Sequence, residues 1–333
     1  MPVTKDQCRG CIVGLAVGDA VGAPVECGKT EETRSYIENR VKPKDFEKVG
    51  SIRSQFEDLP FGHVTDDTQM MRELVISMAD LGDFDPEDVA NRFAVIFENG
   101  RIVGSGQTTR TAINRLLRGE SWQHSGYAKS AGNGSAMRVA PIGLVPNEYD
   151  VVPYATTQGI ITHTHGESKA ASVLTAKAVY YAANNETIDP VGCLDYCLSD
   201  LGDAEFSSDL DHLRDLFLRG ETNRESVLEW MKSLQDDTIW HGISPYAKTS
   251  TFWAVYAFLM SPDDFWQTIQ MALWPAGDVD TIAAMAGAIS GAYNGFGAIP
   301  EEILSHIHEG EYWEVDGLLE LADRFYESVV DVG

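Results

Sequence analysis

Apolar residues along this chain recur at helical rather than alternating spacing. Cys8, Cys11, Ile12 and Leu15 form one stripe near the start, and Gly10, Gly14 and Gly18 form a second. The glycine stripe predicts a helix face that a neighbouring backbone can approach closely. Met70, Met71, Leu74, Val75 and Met78 repeat the helical spacing after a polar Thr65-Asp66-Asp67-Thr68 start. Asp85-Pro86-Glu87 marks another helix N-terminus, with Val89, Phe93 and Ile96 as its apolar face. Segments 168–183 and 249–260 read as buried helices rich in alanine, valine and aromatics. After Asp280-Thr281, residues Ile282, Met285, Ile289 and Tyr293 face one way, while Ala283, Ala284, Gly287 and Gly291 face the other. That helix is expected to be packed on two sides. Strand signals are few: 151–154 is a short candidate, and no hairpin dipeptide separates alternating runs. Segments 27–62 and 186–223 read as long breaks. No repeat or low-complexity linker divides the chain, so the expected fold is all-α, a single compact many-helix domain over residues 1–333.

Composition narrows the class. With 44% hydrophobic residues in 333, the chain has ample core material and is not a disordered protein. Lys and Arg number 25 against 51 Asp and Glu, a net charge of −26. Such a surface repels nucleic acid and anionic lipid, so neither is an expected partner. A high-salt habitat or solubility alone accounts for the acid excess. No run of eighteen apolar residues occurs, and residues 1–10 lack the apolar core of a signal peptide; a cytoplasmic protein with no membrane span is expected. The five cysteines are an odd count. Cys8 and Cys11 have redox or zinc spacing, yet neither a fourth ligand nor a preceding strand accompanies them. Buried free thiols are expected.

Chemistry concentrates in two acidic clusters, Thr65-Asp66-Asp67-Thr68 and Asp278-Val279-Asp280-Thr281, each opening an apolar helix. Helix capping explains one Asp and one Thr in each but not the second aspartate. Two carboxylates about 4 Å apart repel by roughly 4 kcal/mol at an effective dielectric of 20. Convergence of the clusters would need cations, and an all-oxygen donor set selects hard ions such as Mg²⁺ or Mn²⁺. Glu26 ends a glycine-bearing segment (18–26) and is either an exposed loop acid or a base near such ions. The small-residue loop at 130–135 is of a kind that cradles phosphate, a weak signal by itself. His163 and His165, two apart, would diverge on a helix and share a face on a strand, and one is expected to hydrogen-bond a substrate.

The motifs GDAVGAPVE at 18–26, TDDTQM at 65–70, GNGSAMRVAP at 132–141, THTHGES at 162–168 and GDVDTIAAMAGAISGAYNG at 277–295, in that order, resemble the ADP-ribosylglycohydrolase family over nearly the whole chain. The resemblance implies an all-α fold with a binuclear Mg²⁺ or Mn²⁺ centre at the mouth of a cleft. It implies hydrolysis of the glycosidic bond between ADP-ribose and a modified acceptor. Carried over by motif, it makes Thr65, Asp66, Asp67, Asp278, Asp280 and Thr281 the metal ligands and Glu26 the catalytic group. Ser130, Gly132, Asn133, Gly134 and His163 match pocket positions. The expected partners are an ADP-ribosylated protein and ADP-ribose, with the chain acting as a monomer. A protein arginine is the expected acceptor; serine, nucleic-acid base or small-molecule linkages are alternatives, and a catalytically silent binder is the rival class. Tyr246, Phe252 and Trp253 either stack on adenine or belong to the core. The chain departs from the family pattern at Ala276, where a glycine is usual, at Ala131, where some members carry an aromatic, and at Gly104-Ser105, where some carry an acid.

Overall fold

The computed structural model describes residues 2–47, 49, 52–53, 58–236 and 239–331. Sixteen α-helices dominate those residues, and the one ladder among them pairs Ile52–Arg53 antiparallel with Asp58–Leu59. The all-α expectation holds. Thr4 begins the first helix, Lys5–Gly22, with a reciprocal capping box to Gln7. This helix is apolar and long enough to cross a bilayer, but 89% of that window is buried inside the fold, where it serves as a core helix.

Its partner is the Val279–Asn294 helix from the far end of the chain, and the two run antiparallel. The glycine stripe makes this contact. A Cβ on Gly10 would stand 2.2 Å from the Gly291 carbonyl oxygen, one on Gly14 2.4 Å from that of Gly287, and one on Gly18 1.9 Å from that of Ala283. Those obstacles are backbone atoms and cannot swing aside. Gly18→Ala should therefore lower stability by at least about 3 kcal/mol in urea denaturation. Gly297→Ala, where nothing lies within 4 Å, should change it by less than about 0.5 kcal/mol. Gly18 and Gly22 lie inside the first helix, and Gly22 works by close approach to Asp280.

Around this pair pack Asp66–Leu81, Gly166–Asn184, Ala247–Met260 and Phe265–Leu273, and the buried apolar residues form one contiguous core. The segment 151–154 is not a strand. It lies in the Glu148–Ile160 helix, which Asn147 caps through the Tyr149 amide and which buries Val151, Ala155, Gln158 and Gly159 on one face. Nor are the long breaks empty. Thr30–Tyr36 is helical, Pro190–Cys197 is capped by Asp189, and Ala204–Arg219 by Asp203. The last buries only Phe206, Leu210 and Leu213, a narrow apolar stripe hidden among acids. Four of the free thiols are buried, as expected, but Cys27 is exposed.

Candidate metal centre and ligand cleft

The glycine contact between the terminal helices builds half of the site. Its last step sets Gly22 against the backbone of Asp280, where a Cβ would meet the Asp280 Cα at 2.4 Å. One short turn later, Glu26 arrives beside Asp278 and Asp280, and ligand oxygens of the three carboxylates lie within 4.8 Å of one another. The Cys27 amide donates to the Gly277 carbonyl at 3.0 Å, and the Asp278 amide to that of Ile243 at 2.8 Å. Ala276 and Gly277 both take left-handed backbone angles, φ 61° and 96°. Ala276 therefore stores about 1 kcal/mol of strain where a glycine would store none.

Asp19 assembles the other half. It is fully buried on the first helix. Its carboxylate accepts the Thr65 amide at 2.9 Å and the Thr68 amide at 3.2 Å, and meets the Thr65 and Thr68 hydroxyls at 2.8 and 2.5 Å. The Asp66–Leu81 helix is thus capped from outside, while neither Thr65 nor Asp278 caps its own helix with its side chain. Capping does not account for the clusters. Released from that task, Asp66 and Asp67 face Asp278 and Asp280, and the Thr281 hydroxyl bridges the halves, donating to Asp67 Oδ2 at 3.4 Å. Asn133 Nδ2 donates to Asp278 Oδ2 at 2.6 Å. Asp67 Oδ1 and Asp280 Oδ1 are buried without a hydrogen-bond partner among the described residues.

Burial first, and then the neighbouring carboxylates, push Asp66, Asp67 and Asp280 well above the usual carboxylate range. Burial and Glu26 push Asp278 up to about 7, and burial raises Glu26 itself. Orphaned carboxylate oxygens that raise one another's pKa fit a hard divalent cation, and the donor set contains no imidazole. The consequence for pH has a definite sign. A folded aspartate at about 7 binds a proton that its unfolded counterpart, near 3.9, releases, so protonation favours the folded metal-free chain. In chelator, thermal stability should rise as pH falls from about 8 to about 6, and divalent-ion affinity should fall over the same range as protons compete. Thermal denaturation and calorimetry across that range check both.

A cleft of about 500 Å³ opens over the carboxylates. Glu26, Asp66, Asp67, Asp278, Asp280 and Thr281 line its floor, and Ser130, Gly132, Asn133, Gly134 and His163 line its wall. Thr65 stands behind, against Asp19 and Asp67. The expected phosphate cradle is narrower than the loop sequence implies, because the Asn133 amide already donates to the Pro245 carbonyl at 3.1 Å. Gly132 and Gly134 leave room for the His163 ring, which a Cβ on Gly134 would meet at 2.8 Å. Burial and the Arg138 charge lower the His163 pKa to about 3, so its ring is neutral. His163 and His165 share no strand: His165 caps the Gly166–Asn184 helix through the Glu167 amide.

Phe252 and Trp253 are core residues, and Tyr246 donates its hydroxyl to Glu167 at 2.6 Å. Trp240 is an aromatic side chain on the cleft wall. Asp19 was visible in the sequence as an acid amid apolar helix positions, and the 104–110 segment through its departure from the family pattern at Gly104-Ser105, whereas nothing local marked Trp240, which also lines the cleft.

The family model for ADP-ribosylglycohydrolases matches residues 1–332. A protein of Archaeoglobus fulgidus, named only as uncharacterized, is 33% identical over 97% of this chain and 97% of its own. ADP-ribosylhydrolase ARH3 of Homo sapiens is 30% identical over 96% of this chain and 93% of its own. The ADP-ribosyl-dinitrogen reductase glycohydrolase of Rhodospirillum rubrum is 30% identical over 96% of this chain and 98% of its own. A solved structure described as an ADP-ribosylglycohydrolase-related protein complex superposes with a TM-score of 0.65 at 25% identity, covering 97% of this chain and 98% of that one.

Proposed function

The chain belongs to the ADP-ribosylglycohydrolase family, and on that premise we propose that it hydrolyses the glycosidic bond at C1″ between ADP-ribose and a modified protein arginine. The observation that carries this reading is the convergence of the 65–68 and 278–281 clusters, with Glu26, on the floor of one cleft. Two divalent ions, Mg²⁺ or Mn²⁺, held by Thr65, Asp66, Asp67, Asp278, Asp280 and Thr281, would neutralise the four aspartates and orient the ribose hydroxyls and a water.

The chain's own residues supply the rest. Asn133 holds Asp278 in place through its amide. Gly132 and His163 border the space for the ribose and diphosphate. Glu26, its pKa raised by burial, takes the proton of the attacking water as the C1″–N bond breaks with its electron pair on the guanidine nitrogen, and hands that proton to the departing guanidine. Charge builds up positively at C1″ in the transition state, and the Glu26 carboxylate, which the ions do not offset, stabilises that charge. Once two divalent ions offset the four aspartates, Glu26 remains as negative charge at the cleft, which suits a cationic guanidinium acceptor better than a neutral serine oxygen.

We place the enzyme in the cytoplasm, where its five free thiols stay reduced. We assign it as a monomer and a single domain, a reading supported by the one contiguous core that the described buried apolar residues form. Protein rather than nucleic acid is its partner, given the charge of −26.

The acceptor is tested by incubating the protein and Mn²⁺ with substrates ADP-ribosylated on arginine, serine or DNA, and quantifying free ADP-ribose. Arginine-linked substrate should be consumed fastest. Preferential release from serine or DNA would overturn the acceptor assignment and leave the hydrolase reading intact. No release from any substrate would overturn both.

A further inference from the structure

Arg138 sits in the 132–141 motif, is fully buried, and pairs with no carboxylate among the described residues. Its guanidinium lies 4.7 Å from the Phe93 ring centroid. It donates to Gln158 Oε1 at 2.9 Å, the Gln158 carbonyl at 3.1 Å, the Gly134 carbonyl at 2.9 Å and Thr162 Oγ1 at 2.8 Å. A guanidinium donates at every nitrogen and accepts at none, so Thr162 is the acceptor in that contact. Thr162 is itself fully buried, and its one hydroxyl proton has a single acceptor among the described contacts, His163 Nδ1 at 2.8 Å. A proton on Nδ1 would strand the threonine proton with nothing to receive it. Nδ1 is therefore bare, and the single proton of the neutral ring belongs on Nε2. Nε2 makes no hydrogen bond among the described residues, and it borders the cleft wall 3.4 Å from where a Cβ on Gly132 would be.

We propose that Arg138 and Thr162 are positioning residues that fix the Nε2–H tautomer of His163, making it an obligate hydrogen-bond donor to an acceptor oxygen of the bound ligand. The identity of that ligand rests on the ADP-ribose reading; the tautomer is a property of the protein alone. A ribose ring oxygen or a phosphate oxygen satisfies such a donor, whereas a ligand presenting an N–H at that point is rejected. The same guanidinium holds the Gly134 carbonyl, so one buried cation sets both the ring's proton and the glycine it packs against.

Long-range ¹H–¹⁵N correlation spectra of [¹⁵N]histidine-labelled, ligand-free protein test this, with the His163 signals assigned by their loss in His163→Gln. Wild type and Thr162→Ser should show Nδ1 unprotonated and Nε2 protonated. Thr162→Val keeps the shape and loses the proton, so its His163 pattern should shift toward the other tautomer or an average. ADP-ribose affinity, by calorimetry, should weaken about tenfold in Thr162→Val and stay within about twofold in Thr162→Ser. A protonated Nδ1 in wild type, or a pattern unchanged by Thr162→Val, overturns the proposal. If Thr162→Val does not fold, the wild-type spectrum still decides it. Failure of every variant, wild type included, to bind ADP-ribose would overturn the functional reading instead, with the tautomer still read from the spectrum.

Discussion

Asp66→Ala and Asp280→Ala should each lower ADP-ribose release by on the order of 10³ or more, the scale of losing a main electrostatic support in a water-poor site. Asp66 comes from the helix that Asp19 caps, and Asp280 from the helix that Gly22 contacts, so the pair samples both halves of the floor. Both carboxylates are nearly buried, at 8% and 5% exposed, and Asp280 Oδ1 lacks any hydrogen-bond partner among the described residues. Their removal costs little packing, and it relieves repulsion in the metal-free chain. The variants should therefore be at least as stable as wild type in chelator while losing the stabilisation that Mn²⁺ gives wild type. Loss of activity with unchanged Mn²⁺ stabilisation would show that these aspartates do not hold the ions. Asp280→Asn, which keeps the shape, should behave as Asp280→Ala does.

Glu26→Gln should reduce turnover by about 10²–10⁴ and leave ADP-ribose affinity within a few-fold, the signature of losing a positioned base. The geometry offers a competing role, because Glu26 lies within common ligating reach of Asp278 and Asp280. The two roles separate cleanly. A metal ligand would lose ion affinity and turnover together on substitution, whereas a base loses turnover alone. Full turnover in Glu26→Gln would remove Glu26 from both. Calorimetric Mn²⁺ titration beside steady-state kinetics gives the answer.

What could be read in advance follows from the range of the forces involved. The stripes at 10, 14 and 18 and at 287 and 291 were legible because small residues at helical spacing have a local signature, and their contact carries Glu26 to Asp278. The acid clusters were legible because two aspartates exceed what a cap needs. The 151–154 segment misled because Val-Val-Pro-Tyr looks extended unless the Asn147 cap is weighed with the buried Ala155 and Gly159 that follow. The Ala204–Arg219 helix was masked by its acids. Within the site, the use of the Asn133 amide by Pro245 and the linkage from Arg138 through Thr162 to His163 join segments far apart in sequence or depend on a proton's position. No single-sequence periodicity encodes either.

Carboxylates of the 65–68 and 278–281 clusters would form one divalent-cation site whose chemistry is the release of ADP-ribose. The most direct test of that site is the rate at which free ADP-ribose appears from an arginine-ADP-ribosylated protein, measured in excess chelator and again after adding Mg²⁺ or Mn²⁺. The geometry predicts no release in chelator and full restoration by the added ion, with two ions bound per chain by calorimetry. An undiminished rate in excess chelator would contradict it.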